Sequence, residues 1–223
     1  MKTFVDQENL LKFSKDWLGR SEKMPVCLAR PKSEDEVISC FNMAKKENFN
    51  IKIFGGNTSL SGQTVITKDR TLAIDTSFLK TTMMLNENIL SVSSGFTLFE
   101  ANQYLKEFNR CIPLHMGSHQ TATMGGIVST NSGGMHAWKY GMARNHVRGM
   151  RFILPNGEVI QENTTLLKNN TNLGVSDVII GGEGKLGLIT ELLIETHPLK
   201  NISDGVLIMA ENFQDLVDIF NIF

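Results

Sequence analysis

The stretch VCLARPKSEDEVISCFNMAKKENFNIKIFGGNTSLSG, residues 26–62, decides the fold of the amino-terminal part of the chain. The apolar run 26–29 predicts a short strand. Ser33 and a glutamate three residues later form a capping-box pattern, and apolar residues at helical spacing predict an amphipathic helix over 34–48. Residues 51–54 predict the next strand. This order is a βαβ unit, which predicts that the two strands pair in parallel with the helix on one face.

A glycine-rich polar loop follows the second strand of this unit. Gly55 and Gly56 come first, and Asn57, Thr58 and Ser59 follow them. Open α/β sheets bind ligands at the carboxyl ends of their strands, where this loop lies. Bare backbone amides beside side-chain donors make a nest for an anion. Because the loop has no lysine, the pattern favours a diphosphate bound by neutral donors, whereas a plain tight turn would not need three polar residues in a row.

The next part of the chain predicts more sheet and one further capped helix. Strands are expected at 72–75 and 89–95. Thr97 and a glutamate three residues later repeat the capping-box pattern, and this predicts a helix that ends near Phe108. At the amino terminus, residues 6–19 are expected to be helical.

The carboxyl-terminal half predicts an antiparallel sheet. Two apolar runs, 147–154 and 158–161, flank an Asn-Gly turn that is typical of hairpins. The apolar run 178–180 is expected to be a strand that leads into a third glycine run, and 188–196 predicts another. We therefore expect an α+β fold with a small parallel α/β subdomain and a larger, mainly antiparallel one with helices. A strand at 205–210 and a helix over 212–223 are expected beyond it.

Composition limits the classes of partner. The chain has 223 residues, 41% of them hydrophobic, and a formal net charge of −1. Without a long block of Lys or Arg, nucleic acid and an anionic membrane surface are not expected partners. The amino terminus lacks a signal-peptide pattern and no stretch is apolar enough to span a bilayer, so a cytoplasmic protein is expected, with a peripheral place at the inner membrane left open for its full-length form.

Several shorter motifs do not support a separate site. Gly182, Gly184 and Gly187 match the spacing of a dinucleotide fingerprint, but a strand follows them where that motif requires a helix. His115 and His119 have metal-ligand spacing in a loop without further ligands, so no metal is expected. Trp17 and Trp138 are expected to pack in the core. The three cysteines, Cys27, Cys40 and Cys111, are expected to be small core residues.

An ordered set of motifs from about Met24 to Leu199 resembles the FAD-binding domain of the vanillyl-alcohol oxidase and p-cresol methylhydroxylase superfamily. Within that superfamily it is most similar to the D-2-hydroxy acid dehydrogenases, which act on D-lactate, glycolate or D-2-hydroxyglutarate. The motifs are RPKS (30–33), GGNTSLSGQ (55–63), PLHMGS (113–118), MGGIVSTNSGG (124–134), KYG (139–141), LPNG (154–157) and GGEGKLGLIT (181–190).

The resemblance implies an FAD-binding domain over 1–200, with subdomains of about 1–80 and 81–200, and the start of a truncated substrate domain at 201–223. It also implies the cofactor contacts. The diphosphate would be held by Gly55, Gly56, Asn57, Thr58 and Ser59. The ribityl, diphosphate and ring region would be lined by Gly117, Ser118, Thr123, Gly125, Gly126, Asn131, Gly133, Gly134, Tyr140 and Gly141. The adenosine or ring would meet Gly184, Gly187 and Ile189.

Two departures from the family pattern matter. Thr58 stands where members that bond FAD covalently have histidine, so the FAD is expected to be non-covalent. Phe54 stands where many members have arginine, which removes a cation near the diphosphate. By this resemblance the full-length protein oxidises a 2-hydroxy acid and passes electrons to an acceptor, with the metal site and catalytic base in a missing carboxyl-terminal domain. No catalytic residue is assigned here, and the fragment alone is expected to be inactive.

Two other interpretations stay open at this point. One is the related cell-wall enolpyruvyl-sugar reductase, although its first loop lacks the run seen at 57–63. The other is a non-catalytic FAD-carrying or electron-transfer subunit of a multisubunit oxidase. Exposed apolar residues within 205–223 would also allow self-association, so a homodimer is a possible assembly.

Overall fold

The computed structural model describes residues 2–4, 7–163, 174–200 and 207–222. The strands are β1 (Lys2–Phe4), β2 (Cys27–Arg30), β3 (Asn50–Phe54), β4 (Thr71–Asp75), β5 (Met83–Asn86), β6 (Ile89–Ser93), β7 (Arg110–Cys111), β8 (Val147–Ile153), β9 (Val159–Asn163), β10 (Leu188–Glu195) and β11 (His197–Pro198). The α-helices are α1 (Gln7–Lys12), α2 (Glu34–Glu47), α3 (Leu98–Lys106), α4 (Met124–Ser129), α5 (Ala137–Tyr140), α6 (Ala143–His146), α7 (Val175–Ile179) and α8 (Phe213–Phe220).

The first sheet is small and mostly parallel, with the strand order β1-β2-β4-β3. β2 and β3 each pair in parallel with β4, and β1 pairs antiparallel with β2. The prediction that β2 and β3 pair directly is wrong, because β4 lies between them. Every residue of β4 is buried, whereas β3 begins at an exposed residue and is only partly buried along most of its length. The most buried strand is thus the interior β4, and β3 is an edge of the sheet.

Helix α2 covers one face of this sheet, as predicted. Ser33 Oγ accepts a hydrogen bond from the backbone N–H of Glu36 at 3.3 Å, and Asn48 ends the helix in the left-handed conformation. The Glu36 carboxylate accepts from the backbone N–H of Lys32, so the second half of the capping box is displaced by one residue. The buried side of the helix consists of Val37, Cys40, Phe41 and Ala44.

The second sheet is antiparallel, with the strand order β5-β6-β10-β8-β9. The predicted hairpin joins β8 to β9, and its turn is closed by a 2.8 Å hydrogen bond from the N–H of Gly157 to the carbonyl of Leu154. Gly157 has a φ of +89°, which only glycine adopts readily. Helix α3 begins with a complete Thr97–Glu100 capping box, as predicted. The two sheets together confirm the α+β class, with a small parallel sheet and a larger antiparallel one.

Three other predictions need correction. Helix α1 ends at Lys12, well short of residue 19. The apolar run 178–180 is not a strand but belongs largely to α7, whose first N–H groups, from Val175 and Ser176, are accepted by the Glu162 carboxylate. A short apolar run has no periodicity that separates strand from buried helix, so this capping carboxylate decides the outcome.

In the predicted strand 205–210, residues 205 and 206 lie outside the described residues and 207–210 form no strand, while α8 follows as predicted.

The two tryptophans are exposed, and their predicted place in the core is wrong. The exposed fraction is 64% for Trp17 and 86% for Trp138. Cys27 and Cys40 are buried as predicted, and Cys111 is half-buried. Within the described part of the chain no helix is both long and apolar enough to cross a membrane.

The two sheets meet through a shared set of contacts. Ile153 and Leu188, from the antiparallel sheet, pack into the apolar cluster beneath α2. Beside them the Glu34 carboxylate accepts from Arg151 Nε at 2.7 Å and from Thr190 Oγ1 at 2.6 Å. Burial raises the pKa of Glu34, but the hydrogen bonds from Arg151 and Thr190 outweigh it and leave the pKa below its usual range. These contacts join the two subdomains along one side of a cleft.

Candidate functional site

A cleft of about 490 Å³ lies between the two subdomains and is bordered by all three glycine runs. Most of the predicted site residues line it: Gly55, Gly56, Asn57, Thr58, Ser59, Ser118, Thr123, Gly125, Gly126, Gly133, Gly184, Gly187 and Ile189. The cleft thus brings together segments that are far apart in the sequence.

Five predicted residues do not line the cleft, and four of them have other local roles. Asn131 Oδ1 accepts from the backbone N–H of Arg144 at 3.0 Å. A Cβ on Gly134 would lie 2.7 Å from the carbonyl carbon of His115, so this glycine allows close packing. Tyr140 packs with the rings of two histidines, and Gly141 has a φ of +83° that ends α5. Gly117 is exposed, with open space around it.

The first glycine loop, residues 55–62, forms one wall of the cleft at the carboxyl end of β3. Among the described residues, no backbone N–H from Gly55 to Leu60 has a protein acceptor. Asn57 turns the loop with a φ of +51°, a conformation that asparagine tolerates better than most residues. Its Nδ2 donates to the carbonyl of Lys15 at 2.8 Å, while its buried Oδ1 has no hydrogen-bond partner. The wall therefore presents unused N–H donors to the cleft, whereas the unpaired Asn57 Oδ1 is enclosed by protein.

The two glycines of this loop are also needed for packing. A Cβ on Gly56 would lie 2.7 Å from the carbonyl carbon of Thr121 and 3.1 Å from the Cα of Ala122. A Cβ on Gly55 would collide with the hydroxyl of Thr123. Glycine at these positions therefore lets β3 and its loop approach the segment that leads into α4.

The opposite wall is helix α4, whose own amides are already used. The N–H of Met124 donates to Phe96 O at 2.8 Å, that of Gly125 to Ser94 O at 2.9 Å, and that of Gly126 to Thr123 Oγ1 at 3.2 Å. A Cβ on Gly125 would lie 2.7 Å from Ser94 Cβ. This wall is a helix of small residues packed tightly on β6. It gives the cleft a close-fitting surface, but it has no free N–H donors at these positions.

The third glycine run closes the end of the cleft. Glu183 and Gly184 both have positive φ values, +54° and +71°, and Glu183 forms an ion pair with Lys185 at 2.8 Å. Glu183 is the one ionisable residue among those that line the cleft in the described structure. Nearby, burial and the charge of Lys185 lower the pKa of Lys52, which Glu183 partly opposes. The lining is otherwise neutral.

The lining also contains residues that the sequence analysis did not assign. They are Ile53, Leu60, Ser61, Gln63, Thr64, Thr76, Met116, Ala122, Ile127, Ser129, Thr130, Ser132, Glu183 and Leu188. Gln63 Oε1 and Thr64 Oγ1 are buried without a hydrogen-bond partner, and the polar run that continues past Ser59 was the available signal. These two atoms are enclosed by protein, so the unpaired amides of the neighbouring loop are the groups that fit a ligand, one with anionic oxygens.

No cluster of three or more His, Cys, Asp or Glu residues suited to a metal occurs in the described ranges. The histidines instead form ring contacts. His115 stacks on His136, with 5.3 Å between ring centroids, and buried His146 packs edge-on against His197 at 5.4 Å. None of these four histidines lines the cleft.

Comparison with known proteins agrees with this geometry. The mitochondrial D-2-hydroxyglutarate dehydrogenase of Danio rerio is 30% identical over 98% of this chain, which covers 41% of that protein. The D-2-hydroxyglutarate–pyruvate transhydrogenase of Saccharomyces cerevisiae is 28% identical over 96% of the chain and 43% of that protein. The chain therefore spans less than half the length of these relatives.

Solved structures support the fold. An alkyldihydroxyacetonephosphate synthase structure superposes with a TM-score of 0.78 at 22% identity, covering 90% of this chain and 38% of that one. The predicted p-cresol methylhydroxylase type of fold is confirmed, as is the resemblance to the D-2-hydroxy acid dehydrogenases. The family model described as "FAD binding domain" matches residues 25–163. The chain belongs to this FAD-binding domain family, and FAD is its cofactor.

Proposed function

We propose that this chain is the FAD-binding portion of a flavin-dependent oxidoreductase that oxidises a D-2-hydroxy acid. The first glycine loop carries the proposal, because its unbonded amides from Gly55 to Leu60 form an anion nest at the carboxyl end of a parallel strand. The relatives support the substrate class, since their names describe D-2-hydroxyglutarate or D-lactate dehydrogenases. The choice among D-lactate, glycolate and D-2-hydroxyglutarate is left to experiment.

Different lining residues contact different parts of the cofactor. Gly55 to Ser59 hold the diphosphate through backbone N–H groups and the hydroxyls of Thr58 and Ser59. Gln63 and Thr64 continue this polar wall beside the loop. The small residues of α4 provide a close surface, and Gly184, Gly187 and Ile189 line the far end.

Bound FAD supplies an acceptor for the hydride from the carbon that bears the hydroxyl group. The contribution of this chain is to bind the cofactor, orient it and exclude water from the buried part of the cleft. We expect the substrate-binding groups and the base that takes the hydroxyl proton to come from the part of the relatives' length that this chain does not span. We therefore expect no turnover by the chain alone. The cytoplasmic location and the non-covalent attachment of FAD also stay predictions.

Titration of the chain with FAD, followed by flavin fluorescence, tests the cofactor site. Thr58→Asp places a negative charge in the nest, and Thr58→Asn has nearly the same size without the charge. We expect saturable binding in the parent, near-parent binding in Thr58→Asn, and a loss of about ten-fold or more in Thr58→Asp, because like charges repel at short range. Equal binding by both variants would contradict a diphosphate in this loop.

The substrate class needs a second experiment on the full-length protein. Anaerobic mixing of the FAD-loaded protein with D-2-hydroxyglutarate, D-lactate or the achiral glycolate should bleach the visible flavin absorbance with at least one of them, whereas L-2-hydroxyglutarate and L-lactate should not bleach it. Bleaching by none of them, in a protein that binds FAD, would contradict the oxidase proposal while leaving the cofactor site intact.

A further inference from the structure

The outer side of the first glycine loop packs against the segment that follows α1. Phe13 meets Phe54 edge-on, with ring centroids 5.2 Å apart, in an apolar cluster on the face of the small sheet. The chain then makes a compact loop over 16–20, closed by a 3.1 Å hydrogen bond from the N–H of Asp16 to the carbonyl of Arg20. This loop lies between solvent and the wall of the cleft.

Asp16 organises this compact loop. Its side chain is completely buried, yet it carries a carboxylate. The carboxylate accepts from the N–H groups of Leu18 at 3.0 Å and Arg20 at 2.8 Å, and from Arg20 Nε at 2.7 Å. Burial raises the pKa of Asp16, but the hydrogen bonds and charge of Arg20 outweigh it and leave the pKa below its usual range. The Arg20 side chain is thereby held in one position.

Arg20 extends from this anchor to the tip of the first glycine loop. Its Nη2 donates to the carbonyl of Leu60 at 2.8 Å. The guanidinium also lies against Gly62, where a Cβ would be 3.2 Å from Nη2 and 3.3 Å from Cζ. Gly62 has a φ of +81° and so turns the chain at this contact. At the start of the loop, Asn57 Nδ2 donates to Lys15 O, three residues before the anchored backbone of Leu18.

These contacts matter because few hydrogen bonds fix the shape of the loop. Its start packs against the segment before α4, and Ser59 Oγ accepts from the N–H of Ser61, but the N–H groups from Gly55 to Leu60 have no acceptors in the described structure. Glycine-rich backbone with few hydrogen bonds loses much conformational entropy when it is ordered. Contacts that order it before the ligand arrives reduce the cost of binding.

We propose that Asp16 and Arg20 form a clasp that holds the first glycine loop in the conformation that binds the diphosphate of FAD. Arg20 is a positioning residue, since it acts on the loop backbone through Leu60 and Gly62, and Asp16 acts through Arg20. The proposal rests on the assignment of this cleft to FAD made above.

The test compares four forms of this chain: the parent, Arg20→Gln, the double variant Asp16→Asn/Arg20→Gln, and Arg148→Gln. Arg148 is the matched control, because it also pairs with a carboxylate, that of Glu195, and donates to backbone carbonyls, but neither it nor its partners line the cleft. The double variant removes the buried charge that Arg20→Gln alone would leave without its main partner. FAD affinity is measured by fluorescence, and ¹⁵N order parameters are measured for the amides of 56–61 in FAD-free protein.

We expect Arg20→Gln and the double variant to raise the FAD dissociation constant by about ten-fold and to lower the order parameters of 56–61, because charge-assisted hydrogen bonds are the strong ones. Arg148→Gln should leave both unchanged. Parent-like affinity and order in the double variant would overturn the clasp. If the parent itself fails to bind FAD, the cofactor assignment fails separately, and the order parameters alone then support the clasp if they fall or overturn it if they do not.

Discussion

The first glycine loop and helix α4 face each other across the cleft, and both are rich in glycine, but their amides differ. The loop from Gly55 to Leu60 has no protein acceptors for its N–H groups among the described residues. In α4 the N–H groups of Met124, Gly125 and Gly126 all have acceptors within the protein. Glycine allows close backbone packing on both walls, so glycine alone does not identify a ligand contact. The hydrogen-bond partners of the backbone distinguish the two walls, because the partly buried loop keeps N–H groups available to a ligand whereas α4 does not.

The two walls should respond differently to mutation, one in stability and the other in FAD affinity. The α4 wall belongs to the interior of the larger subdomain, with Gly125 against β6 and α6 packed beside it, so changes there should alter the free energy of unfolding. The loop wall is completed by its ligand, so changes there should alter affinity more than stability. The predictions below test that separation, from the largest expected effect to the smallest.

The largest effect on stability is expected at His146, the buried last residue of α6, the helix that packs beside α4. Burial, with smaller contributions from the charges of His197 and Arg148, lowers its pKa from 6.5 to about 4. The unfolded chain therefore takes up the proton first as the pH falls, and the folded state loses stability between pH 6.5 and 4. The loss attributable to this group is about 3 kcal/mol. His146→Leu should remove that part of the pH dependence in urea unfolding.

The control for His146 is His115→Gln, since His115 is exposed. This variant should keep the parent's loss of stability between pH 6.5 and 4. If His146→Leu shows the same slope as the parent in that range, then His146 is not a buried neutral group and this side of the cleft is less tightly packed than described.

The next effect is that of Gly125→Ala on α4. The added methyl group would lie 2.7 Å from Ser94 Cβ and 3.2 Å from Ser94 O, so the helix must move away from β6. We expect a loss of about 2 kcal/mol in the free energy of unfolding, which is typical of overpacking. Gly117→Ala is the control, because open space surrounds that position, and it should change stability by less than about 0.5 kcal/mol. Equal stability of the two variants would show that α4 is not closely packed.

The smallest effect on stability is expected for Asn57→Gly in the loop. Glycine keeps the positive φ, and the lost hydrogen bond to Lys15 O is exposed, so the free energy of unfolding should change by less than about 1 kcal/mol. FAD affinity should fall by about five-fold, because the loop becomes less ordered without the hydrogen bond from Asn57 Nδ2 to Lys15 O. A variant that loses stability but keeps its affinity for FAD would reverse the proposed difference between the two walls.

Local patterns predicted the elements well. The Ser33 cap, the Thr97–Glu100 capping box, the Asn-Gly hairpin and the strand before the first glycine loop depend on neighbouring residues. Each occurs where the sequence places it, except that Glu36 accepts from the N–H of Lys32 and not from that of Ser33. The order of the parallel strands could not be predicted in this way. It depends on which strand is buried on both faces, and β4 takes the place between β2 and β3 for that reason. Helix α7 was missed because its cap, Glu162, lies on β9.

The candidate site was predicted in outline but not in its hydrogen bonds. The three glycine runs do meet at one cleft, and the polar run after Gly56 does form its wall. The sequence does not reveal that the amides of α4 are satisfied by Ser94 and Phe96, because these partners come from a distant segment. For the same reason, the contact of Arg20 with Leu60 has no local signal.

The central claim is that FAD binds to the free amides of the loop and not to those of α4. Amide chemical-shift mapping of ¹⁵N-labelled chain during an FAD titration tests it most directly. The account predicts large, saturable shifts for the N–H groups of 55–59 and small ones for 124–126, whose hydrogen bonds stay inside the protein. Large shifts at 124–126 with none at 55–59 would contradict it.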